Sequence, residues 1–326
     1  MKCLITGGGG FAGSHLAEYL IRQGEEVAIF VLPHDPLGNL VPFLSEVRVE
    51  RGDLLDGGRV ADVLRDLKPQ RIYHLAAISS PADSFSNPKA SYDVNFTGTF
   101  NLLWAWRQLE IDSRLLYVSS SAVYGWVSEN ELPLSEDAPF RPLSPYGGSK
   151  AAAELLAYQF FLAYGLPVIR VRPFNHTGPR QEPGFVCSGL ARQVAEIALR
   201  LRPPTVVAGN LEAQRDFSDV RDIVRGYRLL LESGRPGEVY QLCSGRLRSI
   251  REILEILTGL VSSQVNVEVD GSRIRAHDPP ALWGDPCKAR SEVGWNPQYQ
   301  LETTLRDLKS YWESLLQGSG RMRVGG

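Results

Sequence analysis

Short apolar runs alternate along the first half of the chain with stretches in which apolar residues recur every three to four positions. The short runs predict buried strands, and the periodic stretches predict amphipathic helices. One helix is expected up to about Gln23, a second over Asp62–Leu67, and a third carrying Tyr92, Asn95 and Thr99. The predicted strands are 2–6, 27–32, 47–50, 71–77 and 115–118. This alternation predicts an α/β fold with a doubly wound parallel sheet, whose ligands bind beyond the carboxyl ends of the strands.

A glycine-rich loop joins the first predicted strand to the first helix. Its glycines include Gly7, Gly10 and Gly13, and a second strand follows within about 30 residues. Glycines at such a turn let backbone amides approach a pyrophosphate at the positive end of the helix dipole. The loop therefore predicts a dinucleotide site. The alternative is a plain glycine-rich turn.

The end of the second strand is where an acid would bind the adenosine ribose and favour NAD. That position is Val31, and Asp35 follows a few residues later in a proline-rich loop. No arginine occupies the position either, so the residues leave the choice between NAD and NADP open.

Tyr146 and Lys150 are four residues apart at a predicted helix start, so that their side chains share one helical face. An adjacent ammonium favours the phenolate, and we expect it to pull the pKa of Tyr146 toward neutrality. Ser120 follows the strand 115–118 and is placed to hold the same substrate oxygen. The three residues predict acid–base chemistry on an alcohol or ketone. A chance tyrosine–lysine pair is the alternative that the spacing alone leaves open.

Composition narrows the class of protein. The net charge of −2 over 326 residues gives no reason to expect nucleic acid or an acidic membrane as a partner. The four cysteines are far apart, which predicts free thiols in a reducing, cytoplasmic compartment. The five histidines are scattered as well, so no metal site is predicted. No run approaches the roughly 20 apolar residues of a membrane span.

The motifs occur in an order that resembles the extended short-chain dehydrogenase/reductase family, which acts on nucleotide sugars. They are the glycine loop, Gly52–Leu54, His74–Ala77, Ser120 and the Tyr146/Lys150 pair. The resemblance implies a Rossmann domain and a catalytic set of Ser120, Tyr146 and Lys150, with Lys150 on the nicotinamide ribose. The expected cofactor is NADP or NAD, with a lean to NADPH. The expected cofactor-binding residues are Gly7, Gly10, Phe11, Ala12, Gly13, Asp53, Leu54, Leu75, Ala76, Ala77, Asn95, Tyr146, Lys150 and Pro173.

The segments Val171–Pro179, Gly184–Val186 and Gly209–Phe217 resemble the branch of this family that handles GDP-mannose derivatives. The resemblance implies a GDP-linked sugar as substrate, with planar guanidinium groups suited to its phosphate oxygens. For Arg215, the alternative is a structural ion pair with Asp216 or Asp219. The expected substrate-binding residues are Ser79, Ser84, Ser120, Ser121, Asn175, Val186, Arg215, Arg275 and Asp278.

One position departs from the dehydratases of this branch. They carry a glutamate two residues after the catalytic hydroxyl, where it abstracts the C5 proton, and this chain has Ala122 there. A methyl group cannot act as a base. The pattern is therefore most similar to the GDP-6-deoxy-4-keto-mannose reductases, which form GDP-rhamnose. A C4 epimerase that permanently holds NAD, a GDP-mannose 4,6-dehydratase and a non-enzymatic cofactor sensor remain alternatives.

The family also suggests the domain organisation. Residues 1–172 are expected to form the Rossmann domain, with 209–247 returning to it, and 173–208 and 248–317 to form a smaller C-terminal substrate lobe. A last helix is predicted over Leu301–Leu316, and the Gly- and Arg-rich stretch 318–326 predicts a disordered tail. The helices at Tyr92–Ala105 and Lys150–Tyr164 carry more apolar residues than one buried face requires. In this family these helices pair into a four-helix bundle, so a homodimer is expected. The alternative is that both helices pack only within one chain.

Overall fold

The structure, a computed structural model, describes residues 1–273 and 279–321. Its strands are β1 (Lys2–Thr6), β2 (Glu26–Val31), β3 (Val47–Arg51), β4 (Arg71–His74), β5 (Arg114–Val118), β6 (Val168–Pro173), β7 (Asn175–Thr177), β8 (Thr205–Ala208), β9 (Gln214–Asp219), β10 (Val239–Leu242), β11 (Leu247–Ser249), β12 (Asn266–Val269) and β13 (Ala281–Leu282). Its α-helices are α1 (Phe11–Arg22), α2 (Gly57–Leu67), α3 (Pro81–Ser86), α4 (Pro88–Tyr92), α5 (Gly98–Leu109), α6 (Pro145–Tyr164), α7 (Val186–Ala198), α8 (Val220–Ser233), α9 (Ile250–Thr258), α10 (Cys287–Val293) and α11 (Leu301–Arg321).

The main sheet has seven strands in the order β10-β6-β5-β4-β1-β2-β3, and every neighbouring pair is parallel. The order reverses between β1 and β4, which opens a crevice at their carboxyl ends. This confirms the predicted doubly wound, Rossmann-type sheet.

Successive residues of a strand point to opposite faces, so each strand contributes to two cores. In β1, Cys3 and Ile5 pack against α1 and α8, whereas Leu4 packs against α2, α5 and α6. Burying an aliphatic side chain of this size contributes about 1.5–3 kcal/mol, which fixes the register of the strand. The rigid sheet then holds its carboxyl edge in place.

A third core lies among α7, α9, α11 and β8. The segment 209–247 is divided between the layers: β9 pairs with β7, β11 and β13 in a small sheet, whereas α8 packs on the main sheet and β10 joins its edge. No helix in residues 1–273 and 279–321 combines the length and apolar character that a membrane span requires.

Several boundaries differ from the sequence predictions. The strand predicted over 71–77 ends at His74, and the third predicted helix is divided into α4, a π-helical turn and α5. Helix α2 begins at Gly57 rather than near Asp62, because the Asp56 carboxylate caps it by accepting a hydrogen bond from the Arg59 amide at 2.9 Å. The last helix continues to Arg321, beyond the predicted end at Leu316, and the disorder predicted for 318–326 stays a prediction. The other residues of that stretch, 322–326, lie outside the described residues.

Candidate active site

The glycine loop lies at the carboxyl end of β1 and turns tightly against β4. Gly7 has a φ of +73°, and a Cβ on it would lie 2.8 Å from the Cα of Ala76. A Cβ on Gly13 would lie 2.2 Å from the Gly7 carbonyl oxygen. Only glycine permits both the left-handed turn and this close approach of helix to loop.

The first turn of α1 is suited to an anion. Its capping residue is Gly10, which has no side chain to accept the free amides of the helix start. Phe11, Ala12 and Gly13, all predicted to bind the cofactor, supply amides in this turn. The uncapped helix start and the Cβ-free cradle fit a pyrophosphate group.

A chain of hydrogen bonds runs from β1 through β4 to α5. Thr6 Oγ1 lies 2.7 Å from His74 Nδ1, and His74 Nε2 lies 2.8 Å from Thr99 Oγ1. Thr99 donates its one hydroxyl proton to the Asn95 carbonyl, so it must accept from His74 Nε2, which therefore carries the imidazole proton. Thr6, which accepts from the Ala76 amide, then donates its own proton to His74 Nδ1. Burial, with the charge of Lys150, lowers the pKa of His74 to about 3. The neutral ring therefore acts as a fixed link beneath the loop of Leu75, Ala76 and Ala77.

Asn95 lies in a π-helical turn, Asp93–Thr97, between α4 and α5. Its Oδ1 accepts from the Ile78 amide at 2.8 Å, and its Nδ2 donates to the Ile78 carbonyl and to Ser149 Oγ. Ser149 Oγ in turn donates to the Tyr146 carbonyl at 2.8 Å. Asn95, predicted to bind cofactor, thus ties the loop after β4 to the start of α6.

Ser120 lies just beyond β5, where the chain enters a short 3₁₀ turn. Its Oγ accepts the Ala122 amide at 3.1 Å, which orients the hydroxyl group. A Cβ on Gly147 would lie 2.7 Å from the Ala122 carbonyl oxygen, so glycine lets the start of α6 approach this turn. The approach brings Ser120 and Tyr146, which are distant in sequence, into hydrogen-bond contact.

Tyr146 occupies the first turn of α6, whose cap is the Ser144 hydroxyl accepting the Gly147 amide. Lys150 follows one turn later, 3% exposed, with its ammonium 4.9 Å from the centre of the Tyr117 ring. Ser120 and Tyr146 thus lie in contact, with Lys150 one helical turn after Tyr146, and their catalytic role stays a prediction.

The expected direction of the Tyr146 pKa is wrong for this arrangement. Burial raises the pKa of the phenol, and the hydrogen bond with Ser120 only partly offsets it. Burial also lowers the pKa of Lys150 to about 7, opposed by the charge of Glu154. Desolvation disfavours both charged forms and outweighs the attraction that the spacing suggested. At neutral pH the phenol is therefore protonated and able to donate.

The loop after β2 contacts the glycine loop. A Cβ on Gly9 would lie 2.5 Å from Asp35 Oδ2, and the Asn39 amide donates to the Gly9 carbonyl. Arg51, at the end of β3, donates to the carbonyl oxygens of this loop, including that of Pro33 at 2.7 Å. A carboxylate and a guanidinium therefore flank the edge of the predicted dinucleotide site.

Two further predicted cofactor residues follow β3. Asp53 is half-buried, and its Oδ1 accepts the Leu55 amide at 2.9 Å. Leu54 is buried, and its carbonyl accepts a hydrogen bond from Asn101. Pro173 is buried at the end of β6.

The predicted substrate residues lie in several settings. Ser79 is exposed, whereas Ser84 is buried in α3 and donates to the Pro81 carbonyl. Val186 is exposed at the first position of α7. The others are half-buried or buried on β7, the 3₁₀ turn and β9, namely Asn175, Ser121 and Arg215. Arg275 and Asp278 lie outside the described residues.

The side chain of Arg215 donates to the Gln214 carbonyl at 2.7 Å. Of the two carboxylates considered as its partners, Asp216 accepts from Ser244 and Gly245. Asp219 accepts from Arg221 and Thr304. Both carboxylates thus have hydrogen-bond partners other than Arg215.

Sequence reasoning missed two features that organise this site. The first is the Thr6–His74–Thr99 chain, although all three residues fell within predicted elements. The second is Glu154, one turn after Lys150, whose i, i+4 spacing was the available signal.

The arrangement places a protonated phenol, a hydroxyl and a buried lysine beside a cradle for a dinucleotide. Such a set can deliver a proton to a ketone oxygen that is held by a second hydrogen bond. The geometry is that of a site for carbonyl reduction or the reverse oxidation.

Comparison with known proteins identifies related chains. The family model for GDP-mannose 4,6-dehydratase matches residues 4–308. A GDP-6-deoxy-D-mannose reductase of Pseudomonas aeruginosa is 34% identical over 313 residues, covering 96% of this chain and 97% of that protein. The structure of RMD from Pseudomonas aeruginosa with NADPH superposes with a TM-score of 0.84 at 33% identity, covering 96% of this chain and 99% of that one. A Thermus thermophilus UDP-glucose 4-epimerase with NAD has a TM-score of 0.84 at 32% identity and the same coverage.

Proposed function

The chain belongs to the GDP-mannose 4,6-dehydratase family, a nucleotide-sugar branch of the extended short-chain dehydrogenase/reductases, and we propose that within this family it is a reductase. It is an NAD(P)-dependent oxidoreductase. The proposed reaction reduces the C4 ketone of GDP-4-keto-6-deoxy-D-mannose to give GDP-D-rhamnose. The similarity to a GDP-6-deoxy-D-mannose reductase supports this choice.

The observation that carries the proposal is the turn after β5. It holds Ser120 beside Tyr146 but has Ala122 where a dehydratase needs a carboxylate. Removal of the C5 proton requires a base within hydrogen-bond reach, and neither Ser121 nor Val123 supplies one. The turn therefore retains the groups for reduction without the base for loss of water.

In the proposed mechanism, Ser120 donates a hydrogen bond to the ketone oxygen. Tyr146 donates its phenolic proton to that oxygen as the C=O bond becomes CH–OH. A bound reduced nicotinamide supplies the hydride. Lys150 would contact the nicotinamide ribose and, when charged, favour proton release from Tyr146. The amides of Phe11, Ala12 and Gly13 would hold the pyrophosphate.

The proposed sugar-nucleotide contacts lie on the other side of the crevice. Asn175 and Arg215 would bond the phosphates or a ribose, and Ser79, Ser84 and Ser121 would bond the sugar. Val186, at the exposed start of α7, would contact the nucleotide. The proposed division of the chain into Rossmann domain and substrate lobe places this crevice between them.

The test is to incubate the protein separately with GDP-mannose plus NADP⁺ and with the preformed 4-keto-6-deoxy sugar nucleotide plus NADPH. Only the second mixture is expected to lose the absorbance of reduced nicotinamide and to give a product heavier by two hydrogens. Loss of water from GDP-mannose would show that another group supplies the base. An epimerase would instead carry tightly bound NAD and convert its substrate without added cofactor.

We propose NADPH as the preferred cofactor, supported by the NADPH complex of the Pseudomonas aeruginosa structure. The two charged residues beside the glycine loop, Arg51 and Asp35, have opposite expected effects on the preference between NADPH and NADH. The exposed guanidinium of Arg51 would attract a 2′-phosphate, whereas the Asp35 carboxylate over Gly9 would repel it. Replacing either charge should therefore shift the preference in a known direction.

We also propose a homodimer formed through α5 and α6. Large apolar side chains stand exposed on these helices and the preceding π-helical turn, and Phe100 and Trp104 stack at a centroid distance of 6.1 Å. A second copy would cover this face, because exposed apolar patches mark interaction surfaces. The exposed residues are Phe96, Phe100, Trp104, Leu155, Leu162 and Tyr164.

The cytoplasm is the proposed compartment. All four cysteines are free thiols, three of them buried, as a reducing environment permits. Subcellular fractionation of the source cells tests this assignment.

A further inference from the structure

A buried carboxylate lies one helical turn after Lys150. Glu154 is 0% exposed on α6, and its i, i+4 spacing places it on the same face of the helix as Lys150. The proposed mechanism gives it no chemical step. Its burial needs a reason, since a charged group in the interior is costly unless it is paired.

Arg172 on β6 holds this carboxylate in one orientation. Its Nε lies 3.0 and 3.1 Å from the two Glu154 oxygens, and its Nη2 lies 2.7 Å from Oε1. The other end of the guanidinium donates to Tyr124 Oη at 2.8 Å and to the Glu136 carbonyl at 2.7 Å. Arg170 approaches the same carboxylate to 3.6 Å. These contacts hold the Glu154 carboxylate in a fixed position.

Such a pair is weak support for stability alone, because desolvation offsets much of the attraction between buried charges. The groups that face Lys150 indicate a second effect of the Glu154 charge, which is on the protonation of Lys150. They are Tyr117 on β5, which presents a ring face to the ammonium, neutral His74 on β4, and Glu154 one turn later on α6, while Tyr146 lies one turn earlier on the same helix. Of these, Glu154 supplies the negative charge that opposes the effect of burial on Lys150.

We propose that Glu154, held by Arg172, is a positioning residue that keeps Lys150 charged near neutral pH and so sets the pH range of the reaction. The ammonium must remain charged to assist Tyr146, which is the part of this inference that rests on the proposed function. Without the carboxylate, the ring face of Tyr117 would be the remaining contact, among residues 1–273 and 279–321, that favours the charged lysine. Lys150 would then lose its proton at lower pH.

The direct test follows the titration of Lys150 by NMR in protein labelled at lysine side-chain nitrogen or the adjacent carbon. The chain has six lysines, and Lys150→Arg assigns the signal. Glu154→Gln is expected to move the Lys150 midpoint down by about one pH unit, the lower end of the effect of a nearby opposite charge. The alkaline limb of the kcat/KM profile should move by the same amount.

The matched control is Asp222→Asn. Asp222 is also 0% exposed, pairs with Arg225 and accepts two backbone amides, but lies on α8. Loss of this buried charge should lower stability while leaving the Lys150 titration unchanged. A merely structural Glu154 would behave in the same way as this control.

Glu154→Asp separates charge from shape. It retains the carboxylate one methylene further back, so a smaller shift in the same direction is expected. This variant also serves if Glu154→Gln does not fold. An unchanged Lys150 midpoint in either folded variant would overturn the proposal. Because the NMR titration needs no sugar, a wrong substrate assignment would appear as absent turnover with the shift intact.

Discussion

Removal of the Tyr146 hydroxyl is the sharpest perturbation of the proposed mechanism. Tyr146→Phe keeps the ring, so the packing at the start of α6 is preserved. It removes the proton donor and the hydrogen bond with Ser120, whose Oγ still accepts the Ala122 amide at 3.1 Å. Loss of one such bond costs about 1 kcal/mol of stability, so the variant should fold.

The expected kinetic loss is much larger. A positioned general acid contributes about 10²–10⁴ in rate, which corresponds to about 3–5 kcal/mol of activation free energy. The loss should be largest at and below about pH 7, where Lys150, whose pKa is about 7, is charged and the phenol of Tyr146, whose pKa is raised, is protonated. Cofactor affinity should change little, since the proposed pyrophosphate contacts are made by the backbone of α1.

The assay is oxidation of reduced nicotinamide by the 4-keto-6-deoxy sugar nucleotide under single-turnover conditions, with cofactor binding measured separately by fluorescence. Tyr299→Phe, at an exposed tyrosine outside both the site and the proposed dimer face, is the matched control and should retain wild-type turnover. Turnover of Tyr146→Phe within threefold of wild type would remove this tyrosine from the mechanism. A loss that stayed constant up to about pH 9 would show that the charge of Lys150 does not assist Tyr146.

Three further predictions concern cofactor choice, acid stability and assembly. Asp35→Asn should raise the ratio of kcat/KM for NADPH to that for NADH about tenfold, equivalent to about 1.4 kcal/mol. The reason is that the substitution removes a negative charge beside the 2′-phosphate of NADPH. An unchanged ratio would place Asp35 away from that phosphate. Burial lowers the pKa of His74 to about 3 in the folded chain, so below about pH 6.5 the unfolded chain binds a proton that the native ring does not. The free energy of unfolding should therefore fall as pH falls, by about 1.4 kcal/mol per pH unit between about pH 6 and 4. Urea denaturation should show a shallower pH slope for His74→Asn but not for the exposed His34→Asn, and equal slopes would refute the assignment. Trp104→Glu should give the monomer mass in light scattering at micromolar concentration, whereas a monomeric wild-type chain would contradict the dimer.

The sequence by itself determined the layered fold and the clustering of the catalytic candidates. Both follow from local periodicity. Apolar runs separated by amphipathic helices specify parallel strands, and the carboxyl ends of such strands meet at one edge. The four-residue spacing of Tyr146 and Lys150 required only that α6 begin where Ser144 caps it.

The tertiary structure decided the electrostatics of that site. The pKa of Tyr146 is raised rather than lowered, because burial depends on every element packed around the phenol and not on its neighbour in the helix. Arg172 reaches Glu154 from another strand, and Asp35 meets Gly9 across a loop. Contacts between residues so far apart in sequence leave no periodic signal, because only the packing of the finished sheet brings them together.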